Sequence, residues 1–500
     1  MGSSRLSKWW YRSSTIITTR AYPTNATPAN AMRPKPEARP ILSDFRRALA
    51  AGDGYGVAAT ITPAAPPKDA GRLYAFHRST NVFSVQSDIR HGISSYNSNL
   101  GLTKAEVGAW TEVYVTYWKA VAEVLNAEET SHQGQKEADW SKVYDAWKDV
   151  INALIKGYSG GHFPAWTIPC LYVAAKYLRI FAIKADENAA KAKGKASFNA
   201  GFSDDITETM GKNDKLEDAA RQINRLFSLC ISDREPLEDS RKWALYYIAN
   251  ILFKTYFKLN AVSLSKNVLR SLHAARGDMP PLSAFPKSHQ VTFKYYSGVL
   301  SFLDEDYKQA EEHLTEAWRL CYKDASKNRE LILTYLIPCH LLTTHTLPTQ
   351  QLLGPYPRLQ QLFTPLATCI KKGDLAGFDA ALVAGEEEFV RRRIYLTLER
   401  GRDIVLRNLL RKVFTAGGFE PLKEGQTEND KIRRTRIPVA EFGAALNLSM
   451  ARRDGESLDN DEIECLLANM IYKSLMKGYI AREHGKVVLS KAGAFPGTGV

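Results

Sequence analysis

The side chains that could do covalent or metal chemistry are present in this chain but are not spaced for it. The histidines are His77, His91, His132, His162, His273, His289, His313, His340, His345 and His484, and they form neither an HxH pair nor an HExxH helix motif. A zinc hydrolase site needs such spacing to bring two imidazoles to one metal. His340 and His345 are five apart on one predicted helix, off the same-face spacing, so they read as core or surface residues. Cys170, Cys230, Cys321, Cys339, Cys369 and Cys465 contain no CxxC pair, and five of them sit in apolar helical contexts where a thiol acts as a small hydrophobe. A reducing compartment suits that usage. Gly52, Gly54 and Gly56 alternate without a preceding strand, and no phosphate-cradling GxxxxGK loop or GxSxG elbow occurs. The acidic run at 459–464 lacks the glycine and ligand spacing of a calcium loop and reads as a helix cap. No catalytic constellation, cofactor site or metal site is predicted.

What the chain does offer is positive charge. Its 67 Lys and Arg against 54 Asp and Glu give a formal +13 at pH 7, which suits an acidic partner: nucleic acid, an acidic protein or an anionic surface. From Glu388 to Val500 there are 20 basic and 15 acidic residues, a modest net of +5. The candidate nucleic-acid-binding residues in that stretch are Lys412, Arg433, Arg434, Arg436, Lys473, Lys477, Arg482 and Lys486. Lys473 and Lys477 are four apart, so on a continuous helix they share a face, with the residues around Lys486 directly after them. Two readings stay open: a ridge that tracks phosphates, or a set of helix-end charges offsetting the macrodipole in solvent.

Those cations need elements to position them, and the pattern is helical almost throughout. Residues 1–40 carry five prolines and no hydrophobic period and read as a disordered tail. Ser43 starts a short helix closed by Gly52, and residues 60–100 are irregular or loosely helical. Thr103 and Glu106 form a capping-box pattern, followed by Val107, Trp110, Val113, Tyr114, Tyr117 and Trp118 at helical spacing. Amphipathic helices follow at about 140–157, 167–185, 214–231, 239–258, 261–275, 288–303, 306–322, 328–345, 356–371, 374–384, 386–398 and 401–415. Two polar interruptions, 186–213 and 416–437, read as loops, the first of them mobile. The apolar stretch from Ile168 to Ile183 is interrupted by Lys176 and Arg179 and reads as too short to cross a bilayer.

Between 294 and 318, Gly298, Ala310, Leu314 and Ala317 stand at offsets 0, 12, 16 and 19, the small and apolar positions of a tetratricopeptide-type helix pair. Such a pair buries only one face, so neighbours must stack on it. After residue 400 the order becomes a helix, a basic loop, a helix after Pro438, a helix from Leu458 to Gly478, and two short strands around His484-Gly485. Asp459 with Glu462 caps the last helix, and Ile463, Leu466, Leu467, Met470, Ile471 and Leu475 make its apolar face. That succession is a winged helix. The expected fold is therefore mainly α: a tetratricopeptide-like solenoid ending in a winged helix with a short β hairpin. The domain boundaries expected are a tail at 1–40, an N-terminal helical region at 41–235, helical repeats at 236–398, the winged helix at 399–492 and a tail at 493–500.

The stretches EDSRKWALYYIANILFKTYFKLN, VTFKYYSGVLSFLDEDYKQAEEHLTEAW, NRELILTYLIPCHLLTTHTLP, RNLLRKVF and ECLLANMIYKSLMKGYI, spanning about 236–482, resemble the PCI-domain family. Within it they are similar to the branch of the fungal signalosome-associated subunit twelve and the Thp-one-type mRNA-export subunit. The resemblance implies a PCI helical part from about 284 and a non-catalytic scaffold working in nuclear mRNA maturation and export coupled to transcription. It also implies pairing with a second PCI protein of the Sac/Thp type, binding of a small acidic Sem/DSS-type subunit, and a shared basic platform for RNA or DNA. The loop at 416–437 lies outside the resemblance and inherits no role from it. The alternative is a purely structural subunit of a signalosome or proteasome-lid type assembly that binds no nucleic acid. The family implies a nuclear location, with the cytoplasm also open, and no membrane partner. The first 31 residues, with four basic and no acidic side chains, look like a mitochondrial leader, but Met32 offers a second start.

Overall fold

Aromatic residues repeating at helical spacing build the first half of the molecule, and small residues at helix crossings build the second. The computed structural model describes residues 40–94, 101–133, 138–197, 213–420, 433–450 and 457–499. The predicted tail at 1–39, Lys431 and most of the basic loop, and residues 198–212 lie outside the described residues. The chain divides into two compact units, Met1–Tyr296 and Ser297–Val500.

The first unit holds α1 (Pro40–Ala50), α2 (Gly54–Thr60), α3 (Arg72–Arg78), α4 (Val85–Ser94), α5 (Lys104–Gln133), α6 (Trp140–Ser159), α7 (Pro169–Ser197), α8 (Asp214–Ile231), α9 (Leu245–Lys258), α10 (Val262–Ala274) and the start of α11 (Lys287–Leu303). Thr103 and Glu106 close the expected capping box, with Glu106 N donating to Thr103 Oγ1 at 3.2 Å and Thr103 N to Glu106 Oε2 at 2.6 Å. The six apolar residues predicted along α5, from Val107 to Trp118, are all buried. From α5 to α10 each helix packs on the next in chain order, as a stacked array requires.

Helix α7 departs from expectation. The segment from Asp186, read as the start of a loop, stays helical to Ser197. Polarity suggested a loop, but alanine and lysine are among the strongest helix formers, and they dominate ENAAKAKGKAS. Asp186 is buried and accepts from the backbone N–H of Lys215 and Leu216, so it caps α8 from the side. The apolar run also extends further than 168–183: Ala165–Lys191 is long and apolar enough by length and composition to cross a membrane. In this fold Cys170, Leu171, Ala174, Ala175, Leu178 and Ala182 are instead fully buried, and the helix packs on α6, α8 and α9.

His289 on α11 is buried against Tyr172 and Tyr247, and its Nδ1 has no hydrogen-bond partner. Loss of water, and secondarily the Lys254 cation, push its pKa down to about 4. The unfolded chain therefore binds a proton below about pH 6.5 that the folded chain refuses until about pH 4. Stability from this group is complete above the unfolded value and drains away as pH falls between the two. We expect the first unit to lose about 2 kcal/mol from this source between pH 8 and pH 5. Denaturant melts at the two pH values check it, with His289→Phe removing that share of the difference.

The second unit continues with α12 (Tyr307–Leu320), α13 (Ser326–Thr343), α14 (Gln350–Leu353), α15 (Pro357–Lys372), α16 (Leu375–Ala384), α17 (Glu386–Arg391), α18 (Tyr395–Glu399) and α19 (Arg402–Ala416). The single helix expected over 386–398 is two, broken at Arg393, whose backbone is left-handed at φ 59°. The repeat seam is as expected: Ala310, Leu314 and Ala317 are fully buried. A Cβ on Gly298 would lie 2.7 Å from Leu314 Cγ and 3.3 Å from the Ala310 carbonyl oxygen. Gly298→Val should therefore force the two helices apart and destabilise the second unit by about 1–3 kcal/mol. A shift of the denaturation midpoint at unchanged slope would register it; no shift would mean the seam opens freely.

Candidate nucleic-acid interface on the winged helix

The last quarter of the chain is built from α19, β1 (Arg436–Pro438), α20 (Val439–Ser449), α21 (Asn460–Tyr472), β2 (Gly478–Ala481) and β3 (Lys486–Leu489). The strands form an antiparallel sheet in the order β1-β3-β2, with β3 in the middle. Helix, strand, two helices and two strands is the succession of a winged helix. Phe442, Leu446, Ile437, Leu467, Val487 and Phe495 are fully buried and form its core. Gly443 lets α20 and α21 cross closely, since a Cβ there would meet Ile463 Cδ1 at 2.5 Å.

Three local expectations change. The hairpin is a three-stranded sheet, because Arg436-Ile437-Pro438 pairs with Val488, Val487 and Lys486. Helix α21 stops at Tyr472 rather than running to Gly478. Lys473 caps it, and Ser474 takes a left-handed backbone at φ 58°, so that Leu475 N and Met476 N both donate back to Met470 O. Burial of Met476 draws the chain inward at this point. Gly478 then opens β2, where a Cβ would lie 2.4 Å from the Val488 carbonyl oxygen. As a result Lys473 and Lys477 do not share a helix face. The expected cap does form: Glu462 N donates to Asp459 Oδ1 at 2.7 Å, and Asp459 N to Glu462 Oε2 at 3.2 Å.

The eight candidate cations fall into two groups. Five are already engaged. Lys412 Nζ donates to the Lys372 carbonyl oxygen at 2.9 Å, closing the end of α15. Arg433 lies over Phe419 at 4.9 Å and over Phe414 at 6.0 Å. Arg434 pairs with Glu441 at 2.9 Å and Lys473 with Asp403 at 2.7 Å. Arg482 pairs with Asp461 and with Glu464. The other three, Arg436, Lys477 and Lys486, are exposed and have no carboxylate partner among the described residues.

Strand register brings those three together. Cross-strand partners point to the same face, and alternate residues along a strand share it. Arg436 is opposite Val488, which is opposite Tyr479. Pro438 is opposite Lys486, which is opposite Ala481. Lys477 stands two residues before Tyr479, and the Ser490 N–H donates to its carbonyl oxygen at 2.9 Å, so alternation continues to it. Ile437, Val487 and Leu489, on the opposite face, are buried. The outer face of the wing sheet therefore carries Arg436, Lys477 and Lys486 around Tyr479, which is 62% exposed. Sequence reasoning passed over Tyr479; its place two residues from Lys477 in an alternating strand was the available signal.

The solvent side of α21 is of a different kind. Its sequence NDEIECLLANMIY has three carboxylates and no base. With Arg482 engaged by Asp461 and Glu464, this helix offers a phosphate backbone no cation of its own, whereas the outer sheet face carries three. Leu448 on α20 and Tyr472 at the end of α21 are 88% and 87% exposed, and large apolar side chains so placed suit a protein surface. His340 pairs with Glu311 at 3.0 Å and His345 meets Arg407 at 2.9 Å, so the two histidines serve different partners.

Fold and surface together define a helical scaffold closed by a winged-helix module. Residues 380–491 match the PCI domain model. The chain is 61% identical over 464 residues to the protein CSN12 homolog of Neurospora crassa, covering 92% of this chain and 99% of that one. It is 38% identical to the CSN12 homolog of Schizosaccharomyces pombe, over 72% of this chain and 79% of that one. It is 33% identical to PCI domain-containing protein 2 of Danio rerio, over 72% and 80% respectively. The chain belongs to this CSN12-type family of PCI-domain scaffold proteins, as the resemblance in its helical blocks implied.

Proposed function

We propose that this protein is a non-catalytic PCI subunit acting in nuclear mRNA maturation and export coupled to transcription. It pairs through the winged helix with a second PCI protein, binds a small acidic subunit, and adds a basic patch to a shared platform for RNA or DNA. The observation that carries the nucleic-acid role is the outer wing face, where three cations with no carboxylate partner among the described residues surround an exposed tyrosine. Cations without carboxylates release counterions when they meet phosphates, and an aromatic ring stacks on any unstacked base. Exposed Leu448 and Tyr472 support pairing with a protein on the helix side of the same module.

The test has two parts. Full-length protein, alone and with whatever PCI partner co-purifies from its own cells, is titrated against single-stranded RNA and duplex DNA over a range of salt. The proposal expects an affinity that falls steeply with salt and a second PCI protein plus a small acidic subunit in the purified complex. Absence of nucleic-acid binding by the partnered complex overturns the platform and leaves a purely structural subunit. Recovery of an intact signalosome would relocate the protein to that assembly.

A further inference from the structure

In the first unit a cavity of about 540 Å³ opens beside the turn that joins α1 to α2. Its walls carry four aromatic residues, Tyr55, Trp166, Tyr172 and Trp243, and its rim carries Glu238 and Asp239. The volume is within the roughly 300–1,000 Å³ typical of ligand pockets. The alternating glycines noted in the sequence help to shape it. Gly52 turns the chain at φ 63°, and Gly54 approaches Trp166 so closely that a Cβ would lie 2.0 Å from its carbonyl oxygen. That approach sets Tyr55 at the mouth, 49% exposed.

The acidic side is held in place from several directions. Trp243 Nε1 donates to the Leu237 carbonyl oxygen at 2.7 Å, and Asp239 N donates to the Pro236 carbonyl oxygen at 2.9 Å. Ser240 Oγ and Arg241 bond Asp233, which fixes the base of the same turn. The Tyr172 hydroxyl donates to the Trp243 carbonyl oxygen at 3.2 Å, joining two of the walls. Glu238 and Asp239 themselves are exposed and make no ion pair among the described residues, and no lysine or arginine lines the cavity.

We propose that this cavity is a binding site for an arginine side chain presented by a segment of a partner protein. A planar guanidinium lies flat on indole and phenol rings and meets a carboxylate through two parallel N–H bonds. An ammonium has neither the plane nor the fork, and a cavity of this size accepts a whole arginine with a neighbouring residue. Aromatic walls without carboxylates would suit any apolar group, and carboxylates without walls would remain hydrated. Here the two occur together around one opening.

The probe is a hexapeptide with one central arginine, titrated into the full-length protein and followed by tryptophan fluorescence and calorimetry. Matched peptides carry lysine or citrulline, the neutral isostere of arginine, at that position. Saturable binding of the arginine peptide is expected, at least about tenfold weaker for citrulline because the charge-assisted bonds are lost. Glu238→Gln with Asp239→Asn changes only exposed side chains, so it should keep the melting temperature and reduce arginine-peptide affinity by a similar factor. Tyr55→Ala should weaken binding separately, through the mouth of the cavity. No saturable binding, equal affinity for citrulline or lysine, or unchanged affinity in the double variant would each overturn the proposal.

Discussion

Replacing Trp147 with alanine is expected to destabilise the first unit by about 3–5 kcal/mol, the range for removing a large aromatic side chain from a packed core. Trp147 is fully buried at the middle of α6. Its ring meets Tyr117, Tyr177 and Phe181 at centroid distances of 6.3, 6.0 and 5.6 Å, and its Nε1 donates to the Ala174 carbonyl oxygen at 3.0 Å. It thus ties α5, α6 and α7 into one cluster. Trp147→Phe keeps most of the volume and should cost markedly less, so the difference between the two variants measures the cavity. The readout is the unfolding transition of the first unit in denaturant. A loss below about 1 kcal/mol for Trp147→Ala would mean that the three helices do not unfold as one cooperative body.

The second large effect concerns the wing. Reversing Arg436, Lys477 and Lys486 together to glutamate should lower RNA affinity about 100-fold at low salt, since each change removes an attraction and adds a repulsion. The slope of log affinity against log salt should fall by about 2 for three phosphate contacts on a single strand. All three side chains are exposed, so the fold should persist. The control is as informative as the variant. Arg434→Glu, Lys473→Glu and Arg482→Glu each break a surface ion pair already made, worth about 0–1 kcal/mol, and should change RNA affinity far less. Equal losses in both sets would show that only net charge matters and that the sheet face is not a site.

How far the candidate site could be read in advance differs residue by residue. The eight cations were visible as charges, and the winged-helix order was visible in the capping box of Asp459 and the alternation after Gly478. The strand at Arg436–Pro438 was not, because three residues have no period of their own and this strand is defined by its register with β3, fifty residues later in the chain. The end of α21 was misplaced for a related reason. Local propensity favours continuing through KSLMK, and only burial of Met476 against the module core turns the chain at Ser474. One early stop moved Lys473 and Lys477 off a common face. The extension of α7 was a different error, in which polar composition was weighed above helix propensity.

By itself the sequence determined the helical class, the positions of most helices, the capping boxes at Thr103 and Asp459, and the close seam at Gly298. These depend on neighbours within one or two turns, or on the period with which apolar residues recur, and both are written along the chain. Tertiary structure alone decided which of these cations are engaged by other described residues. Lys473 finds Asp403 from 70 residues away, and Arg482 finds Asp461 from 21. Pairing at such separations is set by how helices pack and strands register, so charge counted along the chain cannot tell an engaged cation from an available one. The basic wing on α21 and its hairpin thus became a smaller surface on a sheet, with Tyr479 at its centre and an acidic helix beside it.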